Sequence, residues 1–343
     1  MERSQCGPAL EALDRLASVF PHSNHLLAQY GLAHYTERAH DRAQECFETL
    51  LKRDPHRLDQ LDIYSNILYV KERRAVRVAL RCAAPPPPPS SPPHPPHPQE
   101  LSHLAHNAVK NNKYRPETCC VVGNYYSLKA QHDKAVAYFQ RALRLDRKFL
   151  CAWTLMGHEF IEMKNTHAAI EAYRRAVDIN PREYRAWYGL GQTYEILAMY
   201  FYALYYYRKA ATLRPYDYRM WNALGNCYKR LGRPAEAITS FERADAAGDH
   251  EGESTIELAR LFVGTDDVRA AHFFERHLEG QTTEVVERPE TAEALLFLAH
   301  FHKSRKSLDV AARCCSRLLE YHGAAKEEAQ GIMRELRALT AAA

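Results

Sequence analysis

An all-α fold, a right-handed superhelical solenoid of antiparallel helix pairs, is predicted by three observations on this 343-residue sequence. The tryptophans Trp153, Trp187 and Trp221 stand 34 residues apart. A glycine follows each by four positions, at Gly157, Gly191 and Gly225, and Gly123 stands one period earlier. Behind each glycine come an aromatic (Tyr126, Phe160, Tyr194, Tyr228), then an alanine (Ala135, Ala169, Ala203, Ala237), then a second aromatic (Phe139, Tyr173, Tyr207, Phe241), always at the same offsets. A fixed period of this length marks an array of small units, none of which buries its apolar face alone.

The columns have physical reasons. Trp187, Leu190 and Tyr194 lie at i, i+3 and i+7 and form one helical stripe. Gly191 and Ala203 lack bulk where the first helix of a unit crosses the second. Tyr207 and Ala210 continue the stripe on the second helix, and Pro215 cannot extend it. "WYGLGQTY" and "WNALGNCY" match the tetratricopeptide signature in full. The packing signature is therefore Gly123, Trp153, Gly157, Trp187, Gly191, Trp221 and Gly225.

Taken in order, residues 1–23 fit the second helix of a unit whose first helix is missing, so the chain reads as starting inside a larger array. A unit spans 24–57, with Gly31, Ala43, Phe47 and Pro55 in register. Residues 58–115 form one interrupted unit, and 116–149, 150–183, 184–217 and 218–251 are regular ones. Two degenerate units follow at 252–291 and 292–325, with "GQTTEVVERPE" as a lengthened loop, and 326–343 form a capping helix.

The interruption is the run "RCAAPPPPPSSPPHPPHPQE" beginning at Arg81. Gly31 and Gly123 are 92 residues apart, about 24 more than two periods of 34. "LDIYSNILYVKE" supplies the first helix, with Leu61, Tyr64, Ser65 and Leu68 in its columns, and "ELSHLAHNAVKN" supplies the second. The Pro-rich insert, about 73–99, lies between them and is expected to be disordered. Three readings stand: a tolerated loop insertion, a polyproline ligand for SH3 or WW domains, and an intron retained in frame. The third is favoured, because Pro, Ser and His codons are pyrimidine-rich. Arg73, Arg74, Arg77 and Arg81 beside it equal the whole formal charge of +4.

Composition excludes several classes. With 46 Lys and Arg interleaved among 42 Asp and Glu, no basic cluster points to nucleic acid. No apolar run approaches the ~20 residues that span a bilayer, and "MERSQCGPALEAL" lacks the apolar core of a signal peptide. The nine cysteines show no Cys-x-x-Cys and no zinc spacing, as expected of buried thiols in a reducing compartment. No catalytic residue, metal or cofactor is expected. "HEFIE" at His158 has glutamate where a zinc protease helix carries its second histidine, and neither a Gly-rich phosphate loop nor a G-x-S-x-G elbow occurs.

Candidate ligand contacts follow from the repeat. In tetratricopeptide arrays the first helices line the concave face, and the residue after each signature glycine points to it. Here those residues are Asn124, His158, Gln192 and Asn226, whose polar groups can bond an extended peptide. Four positions earlier stand Cys120, Thr154, Tyr188 and Asn222. That column has no Lys or Arg, which disfavours a co-chaperone clamp for an acidic C-terminus. Glu159, Glu162 and Glu195 instead suit a basic side chain. The tyrosines of "YFYALYYYRKA" resemble a base-stacking platform, but they are read as packing residues or a subunit contact, with Tyr207 in the core column.

Residues between the columns are more specific. "NYYSLKAQHDKA", "WTLMGHEFIEMKN", "YSNILYVKE", "LSHLAHN" and "FYALYYYRKA" resemble the Cdc23 family, the tetratricopeptide subunit eight of the anaphase-promoting complex or cyclosome. The resemblance is strong from about Asp54 to Pro215 outside the proline run, and fades after about Gly232. It implies a non-catalytic scaffold in a ubiquitin ligase of the cell cycle, in nucleus and cytoplasm. Its implied partners are the other subunits of that complex and a Cdc20- or Cdh1-type coactivator bound through an arginine-bearing C-box. Homodimerisation, if it occurs, would use N-terminal repeats that this chain lacks. The alternative is a generic peptide-binding adaptor or co-chaperone.

Overall fold

The computed structural model describes residues 7–81, 99–249, 251–279, 289–321 and 324–342. Within them it contains eighteen α-helices and no strand. The chain divides into two compact units, Met1–Met199 and Tyr200–Ala343. The first holds α1 (Gly7–Val19), α2 (Asn24–Thr36), α3 (His40–Arg53), α4 (Leu61–Arg81), α5 (Gln99–Asn112), α6 (Pro116–Leu128), α7 (His132–Leu145), α8 (Leu150–Glu162), α9 (Thr166–Ile179) and α10 (Tyr184–Ile196). The second holds α11 (Tyr200–Leu213), α12 (Tyr218–Arg230), α13 (Pro234–Ala246), α14 (Glu253–Phe262), α15 (Asp267–Glu279), α16 (Pro289–Ser304), α17 (Leu308–Leu318) and α18 (Ala324–Ala342).

Six of the helix pairs are closed by the same turn. The residue seven beyond the signature glycine takes a left-handed backbone: φ is 56° at Ala130, 59° at Lys164, 57° at Ala198 and 69° at Gly232. Arg38 and Lys306 do the same in the flanking units. The next residue's N–H returns to a carbonyl of the first helix, Gln131 to Tyr126 at 2.9 Å and Asn165 to Phe160 at 2.8 Å. Such a 6→1 bond satisfies an orphan helix-terminal carbonyl and reverses the chain. Glycine suits this conformation best, yet only the 218–251 unit has it there, so the column is silent in the sequence.

The glycine column works through the aromatic of the second helix. A Cβ on Gly157 would lie 2.6 Å from the Tyr173 ring, and one on Gly225 2.6 Å from that of Phe241. Gly123 meets Phe139 and Gly31 meets Phe47 in the same way. Phe139, Tyr173 and Phe241 are all fully buried, so ring and bare backbone form the centre of each pair. Gly191 is buried as well. The tryptophans are only half-buried. Their indole N–H groups donate to a carbonyl six residues back: Trp153 to Arg147 at 3.0 Å, Trp187 to Pro181 at 2.8 Å and Trp221 to Pro215 at 2.7 Å. Each tryptophan thus pins the loop that joins its unit to the one before.

The interrupted unit closes around its insertion. Leu61, Tyr64, Ile67 and Leu68 of α4 share one core with Leu101, Leu104, Ala105 and Ala108 of α5. The Asn111 amide donates to the Pro55 carbonyl at 3.2 Å, which seats α5 as the second helix. The interruption was expected from about residue 73, but α4 runs on to Arg81. Residues 73–81, "RRAVRVALR", are strong helix formers, and no glycine or proline stops them. The proline run itself and most of "GQTTEVVERPE" lie outside the described residues. At the other end, Ile332 and Leu336 of α18 pack on Ala299, Ala311 and Cys315.

Candidate peptide-binding face

In the first unit, α2, α4, α6, α8 and α10 are the first helices, and the polar residues of α4, α6 and α8 mostly bond one another. Asn124 of α6 is 1 % exposed. Its amide donates to Ser65 Oγ at 2.8 Å and Asn66 Oδ1 at 2.7 Å, both on α4. Glu159 of α8, 4 % exposed, accepts from Ser127 of α6 at 2.6 Å and lies 2.7 Å from His132 Nδ1. His158 receives the Tyr173 hydroxyl at 2.7 Å. Burial pushes its pKa down to about 4, helped by the charges of Arg185 and Arg73. Three expected contacts, Asn124, Glu159 and Asn222, therefore sit in seams between helices rather than on an open surface. The physical reason is the stacking: adjacent first helices touch along the face that carries this column, and a buried amide or carboxylate needs partners.

Glu162 remains partly exposed, but its charge is already met. Arg73 reaches it from the extension of α4 at 2.6 Å, and that hydrogen bond holds the Glu162 carboxyl below its usual range. Arg185 of α10 donates to the Tyr35 hydroxyl of α2 at 2.6 Å and stacks 4.8 Å from its ring centroid. Beneath these, Asn66 donates to Cys151 Sγ at 3.4 Å, and burial pushes Asp62 up to about 6. Gln192, Tyr188 and Glu195 of α10 are half-buried. Sequence reasoning did not place Arg73, Tyr35 or Asp62 on this face. Arg73 alone had a signal, since it opens the out-of-register segment.

In the second unit the column continues on α12. Asn222, 3 % exposed, donates to Asp249 at 3.1 Å and to Glu253 at 3.3 Å. Asn226 donates to Glu253 at 3.1 Å. Lys229 pairs with Glu257, which also holds Arg260 at 2.7 Å, and Arg260 reaches Glu293 of α16 at 2.5 Å. On α11, Tyr207 is buried as expected, whereas Phe201, Tyr202 and Tyr205 are 73 %, 56 % and 53 % exposed. Among the described residues no group of three or more His, Cys, Asp or Glu is placed to hold a metal ion, and no helix is long and apolar enough to cross a membrane.

Comparison with known proteins agrees with this architecture. A TPR-repeat family profile matches residues 157–196, and a tetratricopeptide-repeat profile matches 116–149 and 218–247. Anaphase-promoting complex subunit 8 of Dictyostelium discoideum is 49% identical over 338 residues, 98% of this chain and 53% of that protein. The protein of the same name from Arabidopsis thaliana is 50% identical over 333 residues, 96% of this chain and 53% of that protein. The chain thus spans about half the length of these curated relatives. The solved structure "APC/C hetero-tetramer Cut9-Hcn1" superposes with a TM-score of 0.65 at 17% identity, covering 97% of this chain and 60% of that one, a likeness of fold. With the 34-residue register, the helix pairs and half-identity along nearly its whole length, the chain is a tetratricopeptide-repeat array similar to the anaphase-promoting complex subunit 8 (Cdc23) proteins.

Proposed function

We propose that this chain is a non-catalytic scaffold segment of an anaphase-promoting complex ubiquitin ligase, acting in nucleus and cytoplasm. It would organise neighbouring subunits and help to dock a Cdc20- or Cdh1-type coactivator for cell-cycle-dependent ubiquitination. The observation that carries the reading is the 49–50% identity to two subunit 8 proteins across nearly the whole chain. The fold supports it in two ways. On α10 the column residues Tyr188, Gln192 and Glu195 stay half-buried rather than shut into a seam. The exposed row Phe201, Tyr202 and Tyr205 on α11 has the aromatic character of a subunit contact. Affinity purification of the tagged chain from dividing cells tests this: cullin-like and RING subunits should accompany it, and recovery of chaperones alone would replace the reading with that of a co-chaperone. For the coactivator, Glu195→Lys should weaken binding of a C-box peptide, and unchanged affinity would remove Glu195 from the docking face.

A further inference from the structure

Two cysteines meet across a helix seam of the first unit. Cys120 lies on α6 and Cys151 at the start of α8, and both are free thiols. The Cys120 thiol is hydrogen-bonded to that of Cys151. Three periods further on, the equivalent positions are Asn222 on α12 and Glu253 on α14, whose side chains also meet, at 3.3 Å. Stacking of successive first helices therefore brings these two positions together in each unit, and in the first unit both are sulfur. α6 and α8 come within 8 Å of each other, Cα to Cα. A disulfide joins Cα atoms about 4.4–6.8 Å apart, so closing one asks for only a small movement.

The two sulfurs differ in their surroundings. Cys120 is fully buried, and burial pushes its thiol well above the ordinary range. Cys151 is half-buried among polar groups. The Asn66 amide donates to its Sγ at 3.4 Å. The Asp62 carboxylate is hydrogen-bonded to it, and the Arg185 guanidinium is close enough to feel its charge. An N–H donor and a neighbouring cation stabilise a thiolate, the nucleophilic form of cysteine, and Asp62 is a base placed to take the proton. A cysteine that only fills space has no use for such neighbours.

We infer that Cys151 and Cys120 form a reversible disulfide when a hydroperoxide is present, with Cys151 attacking and Cys120 resolving, and that the bond staples α6 to α8. The Cys151 sulfur attacks one peroxide oxygen and the O–O bond breaks. The leaving hydroxide takes the Cys151 proton, passed through Asp62, and departs as water. Cys151 is then a sulfenic acid. The Cys120 sulfur displaces its hydroxyl, the S–S bond forms, and the hydroxyl departs with the Cys120 proton as a second water. The two thiols lose two electrons in all, and one hydrogen peroxide accepts them to give two waters. A dithiol reverses the bond by exchange. Disulfides of this kind are transient in a reducing compartment, so the seam is locked only under oxidation. The inference stands on this seam and goes beyond the assembly reading above.

The test uses the full chain, first reduced and then exposed to hydrogen peroxide in a few-fold molar excess. Trypsin digestion without reductant, followed by mass spectrometry, should give a product that joins residues 114–129 to 149–164 and disappears with dithiothreitol. Cys120→Ala should stop at the sulfenic acid, so dimedone should label Cys151. Cys151→Ser should leave Cys120 unlabelled. Amide exchange over α6 and α8 should slow in the oxidised parent and in neither variant. No cross-linked product in the parent, a bond confined to Cys119 and Cys120, the same cross-link persisting in Cys120→Ala, or dimedone on Cys120 instead of Cys151 would overturn the inference.

Discussion

Replacing Gly189 by alanine should destabilise the first unit, against the helix propensities. Gly189 lies in α10, where alanine is better than glycine by about 1 kcal/mol. A Cβ there would stand 2.6 Å from Tyr173 Cε1 and closer still to Cζ. The ring has no retreat: on α8 a Cβ at Gly157 would lie equally near the same ring. Tyr173 is fully buried, and its hydroxyl is tied to His158 at 2.7 Å. Overpacking costs about 1–3 kcal/mol, and a ring held on two sides belongs at the upper end. Set against the propensity gain, the net loss is about 2 kcal/mol. Gly331→Ala in α18 is the control, because nothing lies within 4 Å of its Cβ; it should gain up to about 1 kcal/mol. Urea unfolding followed by circular dichroism measures both. Repeat arrays can open locally, so amide exchange over α8–α10 should accompany it. A Gly189→Ala chain that unfolds at or above the parent midpoint would refute the reasoning.

Two further outcomes follow from backbone and charge. Lys164 is exposed with φ 59°. Lys164→Gly should stabilise by about 0.5–1 kcal/mol, the relief of left-handed strain exceeding glycine's entropy cost, and a lowered unfolding midpoint would count against it. His158 has a folded pKa of about 4 against an ordinary 6.5. The unfolded chain therefore takes up the proton first, and this group's contribution is intact above pH 6.5 and lost as pH falls toward 4. Asp62, raised from 3.8 to about 6, acts oppositely, since acidification neutralises a buried charge that burdens the folded state at neutral pH. His158→Gln should flatten the acid loss and Asp62→Asn should steepen it, read as denaturation midpoints at pH 7 and pH 4.5. Parallel pH profiles for both variants and the parent would contradict the assignment.

The elements legible beforehand were those set by short-range pattern. The glycine, tryptophan and second-helix aromatic columns appear as side chains at a constant interval, and each proved to have a local job: a close crossing, a pinned loop, a buried ring. The two halves of the interrupted unit were found by counting, and Leu61 and Leu101 do share one core. The left-handed turn was not legible, because Arg, Ala and Lys occupy it as well as Gly. Backbone closure imposes that conformation, and side chains merely tolerate it.

The polar face divides the same way. Periodicity alone says that Asn124, His158, Gln192 and Asn226 occupy equivalent places on successive helices. It does not say whether an equivalent place is open. Asn124 is shut in by Ser65 and Asn66 from 59 and 58 residues away, and Arg73 crosses 89 residues to neutralise Glu162. Among the described residues, Asp249 and Glu253 accept instead from side-chain and backbone amides close by. A repeat is encoded within one period, so its fold can be read there. Whether a charge is buried, paired or free depends on which side chain of another period lies opposite, and that is settled only when the helices stack.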